Sequence, residues 1–348
     1  MNGAPGLDAS PIRYLDAAAV AAHLPGPQEL IALAELALRS LVNGADVPPK
    51  AGIGDPDGRF AHAMPARLRG ALVPPDAAGP TSTAEGIAAD VPVRDLLGMK
   101  WIAGGPGNRT KGLPAMSALI VLADPDTGVP VAILEGGAVT AWRTAALSAV
   151  GIRLFARPAD RRARVVLLGA GAQGHAHLSL LGSVLPGADV AIHDRHPERA
   201  AALASTVDPG LGSVTSVASP VQALRAADVV VSATSLGGVP DLGIDVVGPD
   251  SLLVAVDYGA RISPELARTA STVAVDDRAQ YDRNRANGRL PGWPEATVTL
   301  GEALTGPASR PPGRALVLHQ GPAVADLVVA GAVLHAAAAA DAGLLLTR

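Results

Sequence analysis

The chain has 348 residues, 28 of them basic and 32 acidic, which gives a formal net charge of −4. That length is enough for two domains, and the interspersed charges, without a basic block or tail, argue against nucleic acid as the main partner. The chain contains no cysteine, so disulfides, thiolate catalysis and cysteine metal sites are excluded. Only 2% of the residues are aromatic, so surfaces for stacking bases or sugars are scarce.

The terminal segments predict a cytoplasmic protein without a membrane partner. The N-terminal stretch MNGAPGLDASPIRYLD lacks the basic and apolar regions of a signal peptide. The most apolar run, near the C-terminus, is interrupted by Asp326, His335 and Asp341. Such a run is typical of a buried helix and not of a membrane span.

The first 44 residues predict a strand followed by two helices. A short strand is expected over residues 12–15, and Asp16 is a suitable N-cap for the helix that follows. A longer helix opens at Pro25 or Pro27 and ends at Gly44, because apolar residues recur between them at helical spacing.

The next segments predict hairpins, a loop and a helix. Residues 47–68 contain two extended pieces around an Asp-Gly turn, and residues 70–95, rich in proline and glycine, are typical of a surface loop or insertion. The apolar runs 117–123 and 129–134 flank the turn Asp-Pro-Asp-Thr-Gly and predict a second hairpin. Residues 140–156 then predict a helix.

A glycine-rich motif follows a buried apolar strand at residues 165–168 and precedes an apolar helix. In this G-x-G-x-x-G, Gly169 allows a tight turn, Gly171 lets a pyrophosphate approach the backbone, and Gly174 lets the helix pack close to the strand. Asp194 ends the next apolar run, at about the spacing of an acid that binds a ribose 2′-hydroxyl. In this context the motif predicts a dinucleotide-binding site.

Strand and helix patterns alternate after the glycine motif, which predicts a doubly wound parallel sheet. Ala233, Thr234 and Ser235 end one of its strands, at the edge where ligands bind in such sheets. Residues 278–314 are polar and rich in proline and glycine. The strand and long helix beyond them are expected to return to the first half of the chain.

Five polar residues are candidates for chemistry. Arg143 lies in an apolar helix, where it suits a bidentate carboxylate, which either a ligand or the protein itself could supply. Asp257 closes a strand at the edge that also carries the glycine turn, although Asp is also a common turn former. Lys100 precedes an apolar pair, while Lys50 and His62 lie in the early extended segment, where a lone His is more often structural.

Several motifs together resemble one family. They appear in family order and at family-like spacing, and the resemblance covers roughly residues 12–345. The chain resembles the ornithine cyclodeaminase/mu-crystallin family at LGMKWIAGGPGNRTKGLP (97–114), at LADPDTGVPVAILEGGAVTAWRTAALSAV (122–150), at VVLLGAGAQGHAHL (165–178), at SATS (232–235), at AVD (255–257) and at HQGPAVADL (319–327).

The resemblance implies an α/β fold with two domains and a homodimer. A Rossmann-type doubly wound NAD(P)-binding domain is expected over residues 146–314. A discontinuous α+β domain for substrate binding and dimerisation is expected over residues 1–145 and 315–348.

The resemblance also implies roles for the candidate residues. Lys100 and Arg143 are expected to bind the substrate carboxylate, with Lys50 standing where the family usually has Arg. Asp257 is expected to act at the reacting amine or imine, with Lys100 as a second catalytic residue. The residues expected to bind the cofactor lie in or near the glycine motif and at two strand ends: Thr144, Gly169, Gly171, Ala172, Gln173, Gly174, Asp194, Arg195, Ala233, Thr234 and Ser235.

Two departures from the family pattern bear on the substrate. His62 stands where ornithine-acting members carry an acid that can meet a distal ammonium, which argues against a diamino acid substrate. His319 stands where the family more often has Ser or Asp. We therefore expect hydride transfer at the α-carbon of an amino or imino acid, by an imine reductase or an amino acid dehydrogenase. The alternatives are an ornithine- or lysine-type cyclodeaminase with catalytic bound NAD, and a non-catalytic protein that binds NAD(P) and a ligand.

The expected cofactor is NAD, because the Asp194 carboxylate would repel a 2′-phosphate. Arg195 and His196 beside it could instead clamp that phosphate, so NADP stays possible. No metal site is expected, because the histidines form no H-x-x-x-H pair and His175 and His177, two residues apart, fall on different faces of one helix.

Overall fold

The chain divides into two compact units, one formed by Met1–Thr140 with Ala323–Arg348 and the other by Ala141–Pro322. The predicted surface loop at residues 70–95 lies outside the described residues, apart from Asp95. The computed structural model describes residues 11–55, 57–69, 95–157, 161–206, 208–235, 241–307 and 310–348.

The secondary structure follows the predicted order through both units. The strands of the described part are β1 (Ile12–Leu15), β2 (Ala51–Gly54), β3 (Phe60–Leu68), β4 (Leu96–Gly104), β5 (Met116–Ala123), β6 (Pro130–Glu135), β7 (Arg164–Leu168), β8 (Asp189–His193), β9 (Ser213–Ser216), β10 (Val229–Ser232), β11 (Leu252–Ala255), β12 (Ala270–Val275), β13 (Val298–Thr299), β14 (Arg314–Leu318) and β15 (Leu344–Leu346). The helices are α1 (Ala17–Ala22), α2 (Pro27–Val42), α3 (Gly137–Phe155), α4 (Ala172–Val184), α5 (Pro197–Ala204), α6 (Val221–Ala226), α7 (Pro264–Arg268), α8 (Arg278–Ala286), α9 (Leu300–Thr305) and α10 (Ala323–Ala339). Within the described ranges, no helix combines the length and the apolar character that crossing a membrane requires.

The first unit is built on a seven-stranded sheet in the order β15-β1-β6-β5-β4-β3-β2. Side chains alternate between the two faces along each strand. On neighbouring strands β3 to β6, one buried face carries residues that lie opposite one another in register: Met64, Lys100, Ile120 and Leu134. Helix α10 packs against β3, β4 and β5 and also against α2. Because α10 is apolar on nearly all sides, it is buried between neighbours and not at a surface.

The second unit is built on an eight-stranded parallel sheet in the order β13-β12-β14-β11-β10-β7-β8-β9. The chain order reverses next to β7, which has β8 on one side and β10 on the other. The prediction of a doubly wound Rossmann-type sheet is therefore confirmed. In such sheets the crevice for a ligand opens at the carboxyl ends of the strands beside this reversal.

One expected boundary differs from the structure, and one polar stretch contains elements that were not predicted. Strand β14 hydrogen-bonds to β11 and β12 and so belongs to the second unit, whereas the expected boundaries placed residues 315–348 in the first. The polar stretch 278–314, in which no element was predicted, contains α8 and α9. Their ends are stabilised by polar caps: Asp277 accepts the N–H of Gln280, and Thr299 with Glu302 forms a capping box.

Candidate functional site

The glycine turn is shaped by two close backbone approaches and one open position. A Cβ on Gly169, whose φ is +100°, would overlap the carbonyl oxygen of Ala233, and one on Gly174 would overlap the carbonyl oxygen of Gly169. A Cβ on Gly171 would meet no atom within 4 Å, and this residue is exposed. The turn therefore leaves open space at the N-terminus of α4, where the helix dipole and unpaired N–H groups favour a phosphate.

Asp194 is tied to this turn. Its Oδ2 accepts the Ala170 N–H at 2.8 Å, and its Oδ1 accepts the His196 N–H at 2.8 Å. Partial burial works to raise the pKa of Asp194, but these two N–H groups and the nearby charges of Arg199 and His196 together outweigh it and hold the pKa below its usual range. An ionised carboxylate keeps further lone pairs on both oxygens, so accepting a ribose hydroxyl is compatible with both bonds.

Asp257 follows β11 and is 3% exposed. Its Oδ2 accepts the hydroxyls of Ser232 at 2.6 Å and Thr234 at 2.7 Å, and the Thr234 N–H at 3.4 Å. Within the described part of the chain, its buried Oδ1 has no hydrogen-bond partner. Burial raises the pKa of Asp257 although the bonds from Ser232 and Thr234 oppose it. The carboxyl group is thus anchored through one oxygen, and the other is suited to exchanging a proton.

The two residues after Asp257 have left-handed backbone conformations. Tyr258 has φ +54°, which is uncommon for a residue with a side chain, and its hydroxyl donates to the carbonyl oxygen of Gln320 at 3.2 Å. Gly259 has φ +71°, and a Cβ there would overlap the ring of Trp293, which is buried.

Arg143 is buried on α3 beside Gly321. Gly321 has φ +72°, and a Cβ there would overlap the Arg143 guanidinium, so this position requires glycine. The N–H groups of Gln320 and Gly321 both donate to Oδ2 of Asp276, each at 2.7 Å. Sequence reasoning did not single out Asp276, although an acid directly after a buried strand was an available signal.

Lys100 and Asp326 form a buried ion pair within the first unit. Lys100 Nζ lies 2.7 Å from Asp326 Oδ1, and the two side chains are 1% and 0% exposed. The pair joins β4 to α10 across 226 residues of sequence. Asp326 was missed as a site residue, although a carboxylate in an otherwise apolar helix was a visible signal.

The remaining candidates of the first unit lie near the end of the same sheet. His62 lies on β3, and its ring covers Gly52 so closely that a Cβ on Gly52 would overlap it. The centroid of the His62 ring is 5.0 Å from the centroid of the Phe60 ring. Lys50 is half-buried and directly precedes β2. The structure thus places Lys50, His62 and Lys100 in the first unit.

The candidates of the second unit cluster at the carboxyl ends of its strands. The structure brings Asp194 to the glycine turn and Thr234 to Asp257. Thr144 is buried in α3, and Arg195 is exposed after β8. Their roles in binding a cofactor remain predictions.

Comparison with known proteins places the chain in a family. The sequence model of the ornithine cyclodeaminase/mu-crystallin family matches residues 85–340. The chain belongs to this family. Nodulation efficiency protein NfeD of Rhizobium meliloti is 33% identical over 274 residues, which cover 78% of this chain and 77% of NfeD.

Two further proteins extend the likeness. Ketimine reductase mu-crystallin of Mus musculus is 30% identical over 241 residues, which cover 68% of this chain and 74% of the mouse protein. The structure of Thermococcus litoralis Δ1-pyrroline-2-carboxylate reductase in complex with NADH and L-proline is 23% identical, with a TM-score of 0.77. The superposition covers 96% of this chain and 99% of the reductase chain, and at that identity the likeness concerns the fold.

Replacing Lys100 by Met tests the buried ion pair. The change leaves the Asp326 carboxylate buried without the ammonium, and we expect the free energy of unfolding to fall by about 3–5 kcal/mol. Urea denaturation followed by circular dichroism measures it. The matched double variant Lys100→Met with Asp326→Leu should recover most of the loss, because no lone charge remains. A single variant as stable as the wild type would contradict the pair's importance.

Acid should weaken the second unit through His177. This buried ring on α4 contacts the Gln173 carbonyl through Nδ1 at 2.7 Å and Ser148 Oγ through Nε2 at 2.8 Å. Burial lowers its pKa from 6.5 to about 4, so between these pH values the unfolded chain binds the proton and the folded chain does not. The contribution of His177 to the free energy of unfolding is therefore fully present above pH 6.5, and it falls by about 3 kcal/mol as the pH drops to 4.

The difference between wild type and His177→Gln isolates this effect. Urea unfolding between pH 7.5 and pH 4 should show a steeper loss of stability for the wild type, since Gln does not titrate. Parallel curves for the two proteins would rule out His177 as a source of the acid sensitivity.

Proposed function

We propose that this protein is an NAD(P)-dependent oxidoreductase that transfers a hydride at the α-carbon of an amino or imino acid, as an imine reductase or an amino acid dehydrogenase. The observation that carries the proposal is the Asp257 carboxyl group, buried at the carboxyl edge of a Rossmann sheet with one oxygen anchored and the other without a partner among the described residues. The ketimine reductase name of the mouse relative supports an imine as substrate.

The glycine turn fits a dinucleotide. Gly171 leaves open space at the N-terminus of α4, and Gln173 Oε1 is buried there without a hydrogen-bond partner in the described part of the chain. Asp194 would hold the ribose, which favours NAD over NADP because a 2′-phosphate would meet its negative charge. When bound, NAD(H) supplies or accepts the hydride.

The chain's own residues handle charge and the proton. Asp257 holds a proton on Oδ1 and gives it to the substrate nitrogen in the reductive direction, or removes it in the oxidative one. Ser232 and Thr234 keep the carboxyl group in one orientation throughout. Arg143 neutralises the substrate carboxylate, because its guanidinium offers the two parallel donors that a carboxylate accepts. The same role for Lys50 and Lys100 stays a prediction.

His62 weighs against a diamino acid substrate. A distal ammonium group needs a carboxylate partner, and the imidazole over Gly52 offers none. The cyclodeaminase reaction therefore ranks below net reduction or oxidation. We place the enzyme in the cytoplasm, with the pool of free nicotinamide cofactor on which net turnover depends.

Nicotinamide absorbance over time tests the reaction. NADH, then NADPH, is mixed with the protein and a panel of cyclic imino acids and of 2-oxo acids with amines, and the same samples are checked for proline or pipecolate formed from diamino acids. We expect NADH to be consumed with at least one imine. A flat trace with cyclic amino acid formed from ornithine or lysine would establish the cyclodeaminase instead, and no change in either assay would favour the non-catalytic protein.

Asp257→Asn should separate chemistry from binding. Loss of the exchangeable proton should lower kcat by roughly 10²–10⁴-fold, while the Kd for NADH stays within about twofold because the glycine turn is intact. The matched control is Asp228→Asn, which removes a carboxylate at the opposite end of the same sheet, where Asp228 binds Arg161. Near-normal turnover by the Asp257 variant would exclude it as the acid–base residue.

A homodimer is proposed as the working form. Trp101 and Leu119 lie opposite each other in register on β4 and β5, on the sheet face opposite Lys100, and are 43% and 44% exposed. Large apolar groups paired on an open sheet face favour a partner surface, and a second copy of this chain would cover both. Sedimentation equilibrium should give twice the chain mass of 34.8 kDa, and Leu119→Asp should shift it to the single mass. A monomeric wild type would exclude this assembly.

A further inference from the structure

A chain of buried polar side chains runs through the second unit outside the groups assigned above. His177 on α4, Ser148 on α3 and His319 directly after β14 are all at most 3% exposed. Ser148 Oγ lies 2.8 Å from His177 Nε2 and 2.7 Å from His319 Nε2. At the other end, His177 Nδ1 lies 2.7 Å from the carbonyl oxygen of Gln173 in the glycine turn.

These three contacts fix which atom donates and which accepts along the chain from His319 to Gln173. The Gln173 carbonyl only accepts, so His177 carries its hydrogen on Nδ1. Complete burial keeps this ring neutral at pH 7, with its pKa lowered to about 4, so Nε2 accepts. The single Ser148 hydroxyl hydrogen must then point to His177, and Ser148 Oγ accepts from His319, which carries a hydrogen on Nε2.

Strand β14, which directly precedes His319, also packs closely on α3, the helix that carries Ser148. A Cβ on Gly151 would lie 2.8 Å from Val317 Cγ1, so α3 approaches β14 closely there. Two residues beyond His319, Gly321 contacts Arg143 on the same helix. The backbone that carries His319 is therefore packed closely against α3 on both sides of this residue.

We propose that His319 is a positioning residue for cofactor binding, which acts through Ser148 and His177 to hold the Gln173 carbonyl and with it the first turn of α4. The inference rests on NAD binding, which belongs to the proposed function, and does not depend on the reaction or the substrate. Without the donor from His319, Ser148 can turn its hydroxyl away from His177, and the orientation of the His177 ring against Gln173 is no longer determined. The peptide groups of the turn then lose one of the bonds that preorganise them for phosphate.

The tautomers of the two histidines test the direction of the chain on the wild-type protein. Long-range ¹H–¹⁵N spectra of histidine-labelled protein at pH 7, without cofactor, should show His177 with its hydrogen on Nδ1 and His319 with its hydrogen on Nε2. The signals are assigned with His177→Gln and His319→Gln. A His319 with its only hydrogen on Nδ1, or a His177 with its only hydrogen on Nε2, would overturn the proposal.

Cofactor affinity tests the positioning role without any turnover. By fluorescence titration, Ser148→Ala and His319→Leu should each weaken NADH binding roughly tenfold, the effect of one lost hydrogen bond in a preorganised site. His319→Gln, which keeps an amide donor near the place of Nε2, should stay within about threefold of the wild type.

Ser40→Ala is the matched control. Ser40 is also a fully buried helical serine, but its hydroxyl donates to the Ala37 carbonyl oxygen of its own helix in the first unit. Its removal should leave the Kd for NADH unchanged. Equal losses in the Ser40 and Ser148 variants, or unaltered binding by His319→Leu, would overturn the positioning role alone. A wild-type protein that does not bind NADH would overturn the proposed function together with the role of His319 in it.

Discussion

The second unit depends on how closely its backbone segments approach at the glycine turn. A side chain at Gly169 would overlap the end of β10, and one at Gly174 would overlap the end of β7. Strand, turn and helix can therefore occupy their places only if both positions lack a Cβ. Because α4 begins inside this turn, Gln173 and His177 are placed by the same constraint, and so is Asp194, which binds the turn from β8.

Three aspartates lie just beyond strands of this sheet, and their partners distinguish their roles. Asp194 is bound by backbone N–H groups on both oxygens, and Asp276 accepts the N–H groups of Asp277, Gln320 and Gly321. Backbone N–H groups stabilise the ionised carboxylate and shape the loops around it. Asp257 accepts the hydroxyls of Ser232 and Thr234, and a longer bond from the Thr234 N–H, all on one oxygen, while burial raises its pKa. That combination favours proton exchange at Asp257 and a structural or ribose-binding role for the others.

Local patterns predicted most of the fold. The hairpin of the apolar runs 117–123 and 129–134, the N-cap at Asp16 and the strand–glycine–helix order each depend on neighbours in sequence, and the structure confirms them. Short polar helices were not predicted. The composition of α8 and α9 did not indicate helices, although the capping box of Thr299 and Glu302 was visible in the sequence.

Contacts between distant segments caused the other failures. The partner of Lys100 lies 226 residues away in sequence, and β14 is assigned to its sheet only by hydrogen bonds to β11 and β12. No local periodicity specifies such pairs. For the same reason the chain Ser148–His177–His319 could not be read from its residues, which lie on three separate elements.

The packing of Trp293 on Gly259 gives the protein an internal optical reporter. The Trp293 indole is buried against Gly259, which follows Asp257 by two residues, while Trp142 is half-buried on α3 and Trp101 lies exposed in the first unit. Tryptophan emission overlaps the absorption of reduced nicotinamide, so excitation energy can pass from the buried indole to a bound NADH, and quenching by a polar solute acts first on the exposed one. With no cysteine in the chain, a single introduced thiol would add a second, site-specific label without any background labelling.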